Sequence, residues 1–366
     1  MANKKKALWI ELTRIFACIA VVLLHITSRY IKSMEPFANT WKYMVTLNGF
    51  TRFAVPCFIM ISGILYTKKA TQLDITQFYK RYLPKTVLIY LISSFSYTCM
   101  DKIYNKTFIF NIEFLKQMVK SSVKHPYYHL WYLSMLIGII ILAPFLSKFL
   151  TDEKDGKKYT ISYIVIFLIL VTLPKTLRLF DVPFKDVLLG LFSRFGKNLI
   201  FEWTGFYVIG YFFYQYYKEK KWDKLIYISG FLSMTASILL SFYKIELTTK
   251  NTMFFKNNVL FSLIYSVAVF LLIKNTTEHI NFSEKAEKII LNLSSSTLGV
   301  YLIHPFVLLL LRDHKILEQY MKNNYYLSVI LLLIVTLLIC FLSVMVYRKV
   351  VYFIHLGYTK IRDCSV

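Results

Sequence analysis

The sequence predicts an all-α fold, a polytopic transmembrane bundle of about ten helices with both termini on the cytoplasmic side. Three observations carry this. Hydrophobic residues make up 57% of the chain and charged residues 17%, against roughly 45–50% and about 25% in a soluble domain. The apolar residues run in blocks instead of recurring at amphipathic spacing, and their share of 366 residues supplies roughly ten spans of ~20 residues each. The blocks are also too long and too continuously apolar for barrel strands, which alternate over ~10 residues. Lipid leaves the backbone only helices or closed barrels, so these blocks are helices. A soluble enzyme is excluded.

The blocks fall at 7–28, 48–66, 83–100, 127–147, 159–174, 199–217, 225–243, 257–273, 289–311 and 326–347. The first follows Lys4-Lys5-Lys6 and resembles a signal peptide. It is too long for one, carries Glu11 and Arg14, and lacks a small-residue cleavage site, so it reads as an uncleaved span. The shortest blocks, 159–174 and 257–273, still have the length of a crossing helix. No repeat, Gly/Ser linker or low-complexity tract interrupts the series, so residues 1–366 read as a single integral-membrane domain. Basic residues are in slight excess in the loops that follow even-numbered spans, which sets the N-in, C-in orientation.

Lys and Arg number 44 against 20 acids, a net charge of +24. In a soluble chain this would indicate nucleic acid. Here the basic residues lie between apolar blocks, where anionic lipid headgroups attract them, so membrane lipids are expected partners and nucleic acid is not. The five cysteines show no paired spacing, hence no disulfide framework and no metal site. Aromatic residues are abundant, with 31 Phe, 28 Tyr and 5 Trp, and clusters such as Tyr214, Tyr216 and Tyr217 sit at block ends. Trp131, beside Tyr127, Tyr128 and Tyr132, belongs to such an interfacial belt and has a ring suited to stacking on a sugar.

Ionisable residues inside spans are costly and mark functional sites. Glu11, Arg14, His25, Arg52, Glu202 and His304 qualify. At 1.5 Å rise per residue, Arg14 lies about 10 Å and His25 about 27 Å from the inner end of the first span. Arg52 starts the second span about 6 Å below the outer surface, and His304 is roughly 21 Å up the ninth. An inner station of Glu11 and Arg14 is thus separated from an outer one of His25, Arg52 and His304, with Glu202 also near the outer face. Arg14 and His25 stand eleven positions apart, close to three helical turns, so they share a stripe with Glu11 and are separated by about 16 Å. The planar arginine fork suits phosphate or carboxyl oxygens. An imidazole can take a proton from an alcohol near neutral pH. Pro305, after His304, is expected to break the ninth helix and free carbonyls near the site.

Several motifs run in order along the chain. Glu11-x-x-Arg14 precedes His25 by a fixed interval, and Arg52-Phe53-Ala54-Val55-Pro56-Cys57-Phe58-Ile59-Met60-Ile61-Ser62-Gly63 opens the second span. Phe78-Tyr79-Lys80-Arg81-Tyr82-Leu83-Pro84, His129-Leu130-Trp131-Tyr132-Leu133, Gly205 to Tyr211 and Ser296 to His304, with Tyr301 inside it, follow. Together they resemble the membrane-bound acyltransferase type 3 family over nearly the whole chain. The resemblance implies a ten-helix enzyme of the cell membrane, bacterial in type. It would move an acyl group from cytoplasmic acyl-coenzyme A to a hydroxyl of a cell-surface or lipid-linked carbohydrate, with acetyl expected ahead of succinyl. Acyl-coenzyme A is then a co-substrate, no cofactor is bound, and a homodimer is an open option. Arg14 and His25 carry over as the catalytic pair, and Arg52 and His304 as further site residues.

The residues fit that scheme. Lys68, Lys69, Lys80, Arg81 and Lys85 form a basic mouth for a polyanionic donor. Ser62-Gly63 allows either close helix approach or a narrow ligand passage. His25 would serve as general base or as transient acyl carrier, and Arg52 would stabilise the developing oxyanion. The competing class is a transporter or exporter of a polysaccharide or its precursor, although the two halves of the chain show no paired pattern of broken helices.

Overall fold

A computed structural model describes residues 2–36, 38–109, 111–116, 119, 127–180, 189, 202–218, 220–243, 254, 258–313 and 324–363, with backbone alone at 2–7, 312–313 and 353–363. Every long regular element among them is helical. In order they are α1 (Ala2–Ser33), α2 (Asn39–Phe50), α3 (Ala54–Gln72), α4 (Ile75–Tyr104), α5 (Trp131–Leu150), α6 (Gly156–Phe167) and α7 (Leu173–Leu177), joined to α6 by a π-helical stretch at Leu168–Thr172. Then come α8 (Thr204–Gln215), α9 (Asp223–Tyr243), α10 (Leu260–His279), α11 (Glu284–Asp313) and α12 (Tyr325–Asp363).

Eight segments among the described residues are long and apolar enough to cross a membrane. They are Leu8–Ser33, Asn39–Gln72, Trp131–Leu150, Gly156–Leu177, Asp223–Tyr243, Leu260–His279, Glu284–Leu311 and Tyr325–Tyr352. The fold is therefore a polytopic helical one. The apolar block at 83–100 lies in α4, whose first turns carry Lys80, Arg81, Pro84 and Lys85 and dilute its hydropathy. The block at 199–217 appears as the twelve-residue α8; residues 199–201, like 257 of the eighth block and Cys364, lie outside the described residues. Many apolar side chains stay exposed, among them Phe231, Leu239, Leu338 and Leu342, as expected of helices whose outer faces meet lipid.

The chain divides into two compact units, residues 1–58, 172–194 and 219–366 in one, and 59–171 and 195–218 in the other. In the first, α1 packs against α2, α10, α11 and α12, while α11 also lies against α12. Its core gathers Cys18, Val22 and Ile26 of α1, Met44 of α2, Val300 of α11 and Cys340 of α12. Trp9 meets the Phe270 ring edge-on at 5.3 Å.

In the second unit α5 packs on α4, α6 and α8, and α6 on α8. Here Gly63 answers the choice left open for Ser62-Gly63. A Cβ at Gly63 would stand 2.0 Å from the Tyr207 carbonyl oxygen, and one at Gly210 would stand 2.3 Å from the Met60 carbonyl oxygen. Two glycines thus let α3 and α8 meet backbone to backbone, and the Thr67–Tyr207 hydroxyl contact at 2.9 Å closes the seam. At the entry to α4, Asp74 accepts the Thr76 amide at 2.9 Å. That bond holds its carboxyl below the ordinary carboxylate range.

Candidate functional site

The inner station is a local pair. Arg14 Nη1 donates to Glu11 Oε2 at 3.0 Å, one helical turn back on α1. The same carboxylate oxygen accepts a short bond from the Ser294 hydroxyl of α11. The side chains of Arg14 and Glu11 retain 30% and 19% of their exposure, so the pair borders accessible space and is only partly buried.

The outer station is tertiary. The His25 and His304 rings stack with centroids 5.2 Å apart and planes 24° from parallel. Tyr301 lies 6.2 Å from the His304 ring. His25 is half-buried and His304 fully buried. The expected break at Pro305 does not occur, since α11 runs through it from Glu284 to Asp313. Pro305 still has no N–H, so the carbonyl four residues back, that of Tyr301, loses its helical donor. His304 Nδ1 takes that place, 2.8 Å from the Tyr301 oxygen, with the Val300 oxygen at 3.2 Å. A carbonyl can only accept, so Nδ1 carries the hydrogen. Neutral His304 is thereby fixed as the tautomer with a basic Nε2.

Arg52 occupies a helix interruption. The span expected at 48–66 begins at Asn39 and is broken at Thr51–Phe53, between α2 and α3. The turn is tied by Thr51 N–H and Oγ1 donating to the Asn48 carbonyl, at 3.2 and 2.7 Å. Tyr265 donates its hydroxyl to the Phe50 carbonyl at 3.0 Å, satisfying one of the acceptors exposed at the α2 end. Pro56 falls in the first turn of α3, where no helical donor is required. From this turn Arg52 reaches back one helical turn to Asn48, whose Oδ1 accepts from Nε at 3.1 Å and also from Nη2.

The first unit therefore brings together His25, His304 and Tyr301, and joins Arg52 to the same stretch of α1 through Asn48. Glu11 and Arg14 sit lower on the α1 stripe. Ser62, Arg81, Trp131 and Glu202 belong to the second unit. There Ser62 is buried, and Arg81 is exposed with its guanidinium 5.9 Å from the Tyr82 ring. Trp131 pairs with Trp203 at 5.2 Å, and Glu202 is exposed just before α8. Sequence reasoning missed Asn48, Ser294 and Trp203. Asn48 could have been suspected as an amide in an apolar run one helical turn before Arg52. Among the described residues, no group of three or more His, Cys, Asp or Glu side chains is placed to hold a metal.

An acyltransferase-domain family matches residues 7–345. The chain belongs to the acyltransferase 3 family. The match takes in both stations, from α1 to the middle of α12, and lends no support to the transporter reading. The protein is a multi-pass membrane acyltransferase. No curated protein and no solved structure matches the chain.

Proposed function

We propose that this acyltransferase moves an acetyl group from cytoplasmic acetyl-coenzyme A to a hydroxyl of a cell-surface or lipid-linked carbohydrate. The observation that carries the reading is the stacked histidine pair, with the His304 tautomer fixed by the carbonyl that Pro305 leaves without a donor. The identity of donor and acceptor rests on the family resemblance, and the N-in orientation on the distribution of basic loops.

In this reading His25 is the general base. The acceptor oxygen attacks the thioester carbonyl carbon as its proton passes to the imidazole. The C–O bond forms, the C–S bond breaks, and the imidazolium returns the proton to the departing thiolate. The products are the ester and free coenzyme A. The neutral His304 ring lies face to face with His25 and supports the transient cation on it, as aromatic faces do. Arg52 faces the oxygen on which charge develops. Arg14 meets anionic or carbonyl oxygens of the donor on the inner side, and its carboxylate partner keeps the fork oriented while the donor is absent.

Membranes containing the full chain should release free thiol from acetyl-coenzyme A and transfer the labelled acetyl group to material of the same membranes. His25→Ala should insert and accumulate normally and lose about 100- to 10,000-fold in turnover. Turnover close to that of the unaltered protein in this variant would remove His25 from the chemistry and overturn the reading.

A further inference from the structure

We propose that Asn48 is a positioning residue that locks the Arg52 guanidinium to the His25 segment of α1 through a neutral amide. The inference rests on the role given to Arg52 under the proposed function. Asn48 is fully buried on α2. Its amide nitrogen contacts Thr27 Oγ1 and Ser28 Oγ, each at 2.9 Å, and the Leu24 carbonyl at 3.3 Å. Leu24, Thr27 and Ser28 flank His25 on one turn of α1. Its oxygen accepts from Arg52 Nε and Nη2.

The amide cannot be turned over. A guanidinium only donates, so the atom facing Arg52 must be the oxygen, and a carbonyl only accepts, so the atom facing Leu24 must be the nitrogen. Thr27 gives its own hydrogen to the Leu23 carbonyl at 2.8 Å, so it meets Asn48 as an acceptor. Both ends of the amide are therefore committed. One holds the imidazole-bearing turn, and the other grips one edge of the arginine fork and so fixes its plane. Arg52 needs this external hold because it sits in the turn between α2 and α3, where no regular helical backbone aims it. A carboxylate would grip the fork more strongly and cancel its charge. A neutral amide anchors it and adds no countercharge of its own.

The test is a double-mutant cycle on the full chain in its native membranes, with labelled acetyl-coenzyme A as the probe. Asn48→Ala and Arg52→Ala should each lower turnover about 100-fold, the size expected for a misplaced or missing oxyanion donor. Donor KM should stay within about twofold. The double variant should be no worse than the poorer single variant by more than about threefold, because both remove one unit. Asn48→Asp keeps the oxygen facing Arg52 and adds a charge, so its turnover should fall as far as that of Arg52→Ala. A role in folding alone would lower the amount of protein and its unfolding temperature while leaving turnover per folded molecule unchanged, and that result overturns the proposal. So do multiplicative losses in the double variant. Should Asn48→Ala not accumulate, the pair Thr27→Val with Ser28→Ala removes the two nearer acceptors and should cost about tenfold in turnover; no loss there overturns the proposal equally. An inactive His25→Ala beside a fully active Asn48→Ala sinks this inference alone. A fully active His25→Ala sinks the proposed function, and this inference with it.

Discussion

Arg14 and Arg52 are both guanidiniums within apolar spans, yet their partners differ in kind. Arg14 is answered by a carboxylate on its own helix, one turn away and partly accessible. Arg52 is answered by a buried amide that is itself bound to α1. The first arrangement compensates charge and needs nothing beyond α1 to form. The second ties the fork to a neutral amide and needs three elements in register. A compensated arginine can open to receive an incoming anion and close again at small cost. A guanidinium fork held in place by an amide is preorganised for a charge that develops only in the transition state. Under the proposed function, donor capture falls at one end of the α1 stripe and rate acceleration at the other.

Substitutions at three positions probe that contrast. The largest effect is expected from Arg52→Lys, which keeps the charge and loses the edge that grips Asn48 with two donors. Turnover should fall about 100-fold with donor KM little changed, as measured in steady-state kinetics with acetyl-coenzyme A. If Lys is fully active there, directed geometry is not what Arg52 supplies. An intermediate effect is expected at the inner end. Arg14→Ala should raise donor KM about tenfold, in line with one charge-assisted hydrogen bond, and Arg14→Lys should raise it less, with turnover largely kept in both. Identical, unaltered KM values in the two variants would make Arg14 a structural charge. The smallest effect is expected from Glu11→Gln, which retains an acceptor for Arg14 and Ser294. Partly exposed ion pairs contribute ~0–1 kcal/mol, so KM should move by less than about threefold. A loss of turnover as large as that of Arg52→Lys would erase the distinction between the two ends.

The parts of this site that were legible in the sequence were those with a formal charge or an imidazole. Such groups are conspicuous in lipid because burying them is expensive, so Glu11, Arg14, His25, Arg52 and His304 stood out from their apolar neighbours. The ~16 Å spacing along α1 follows from helix geometry alone. Asn48 did not stand out. It carries no charge, and Asn-Gly inside a block that otherwise reads as one span gives no sign that the amide points inward at three acceptors. The break at Thr51–Phe53 was hidden for a related reason, because the apolar residues on either side of it carry the hydropathy of one span across Arg52. At Pro305 the opposite happened. Proline chemistry does remove a donor from the Tyr301 carbonyl, yet the helix continues because a neighbouring side chain replaces the missing bond, and only three-dimensional placement reveals the replacement. Gly63 was ambiguous as read and became specific once Tyr207 was seen against it.

The Asn48 amide has a consequence for the chemical ageing of the protein. Asn48 is followed by Gly49, the neighbour that least obstructs attack of its own backbone nitrogen on the asparagine side-chain carbonyl, the route by which asparagine loses ammonia and becomes aspartate. In α2 that nitrogen is held within a helix, and the side chain is tethered at both ends, so the attack geometry is withheld while the protein is folded. Local unfolding of α2, away from both α1 and Arg52, frees both constraints at once. A molecule that has opened there and deamidated returns with a carboxylate against Arg52. An anionic oxygen then stands where a neutral one had gripped the fork, so an episode of local unfolding leaves a permanent covalent mark at the residue that aims the outer arginine.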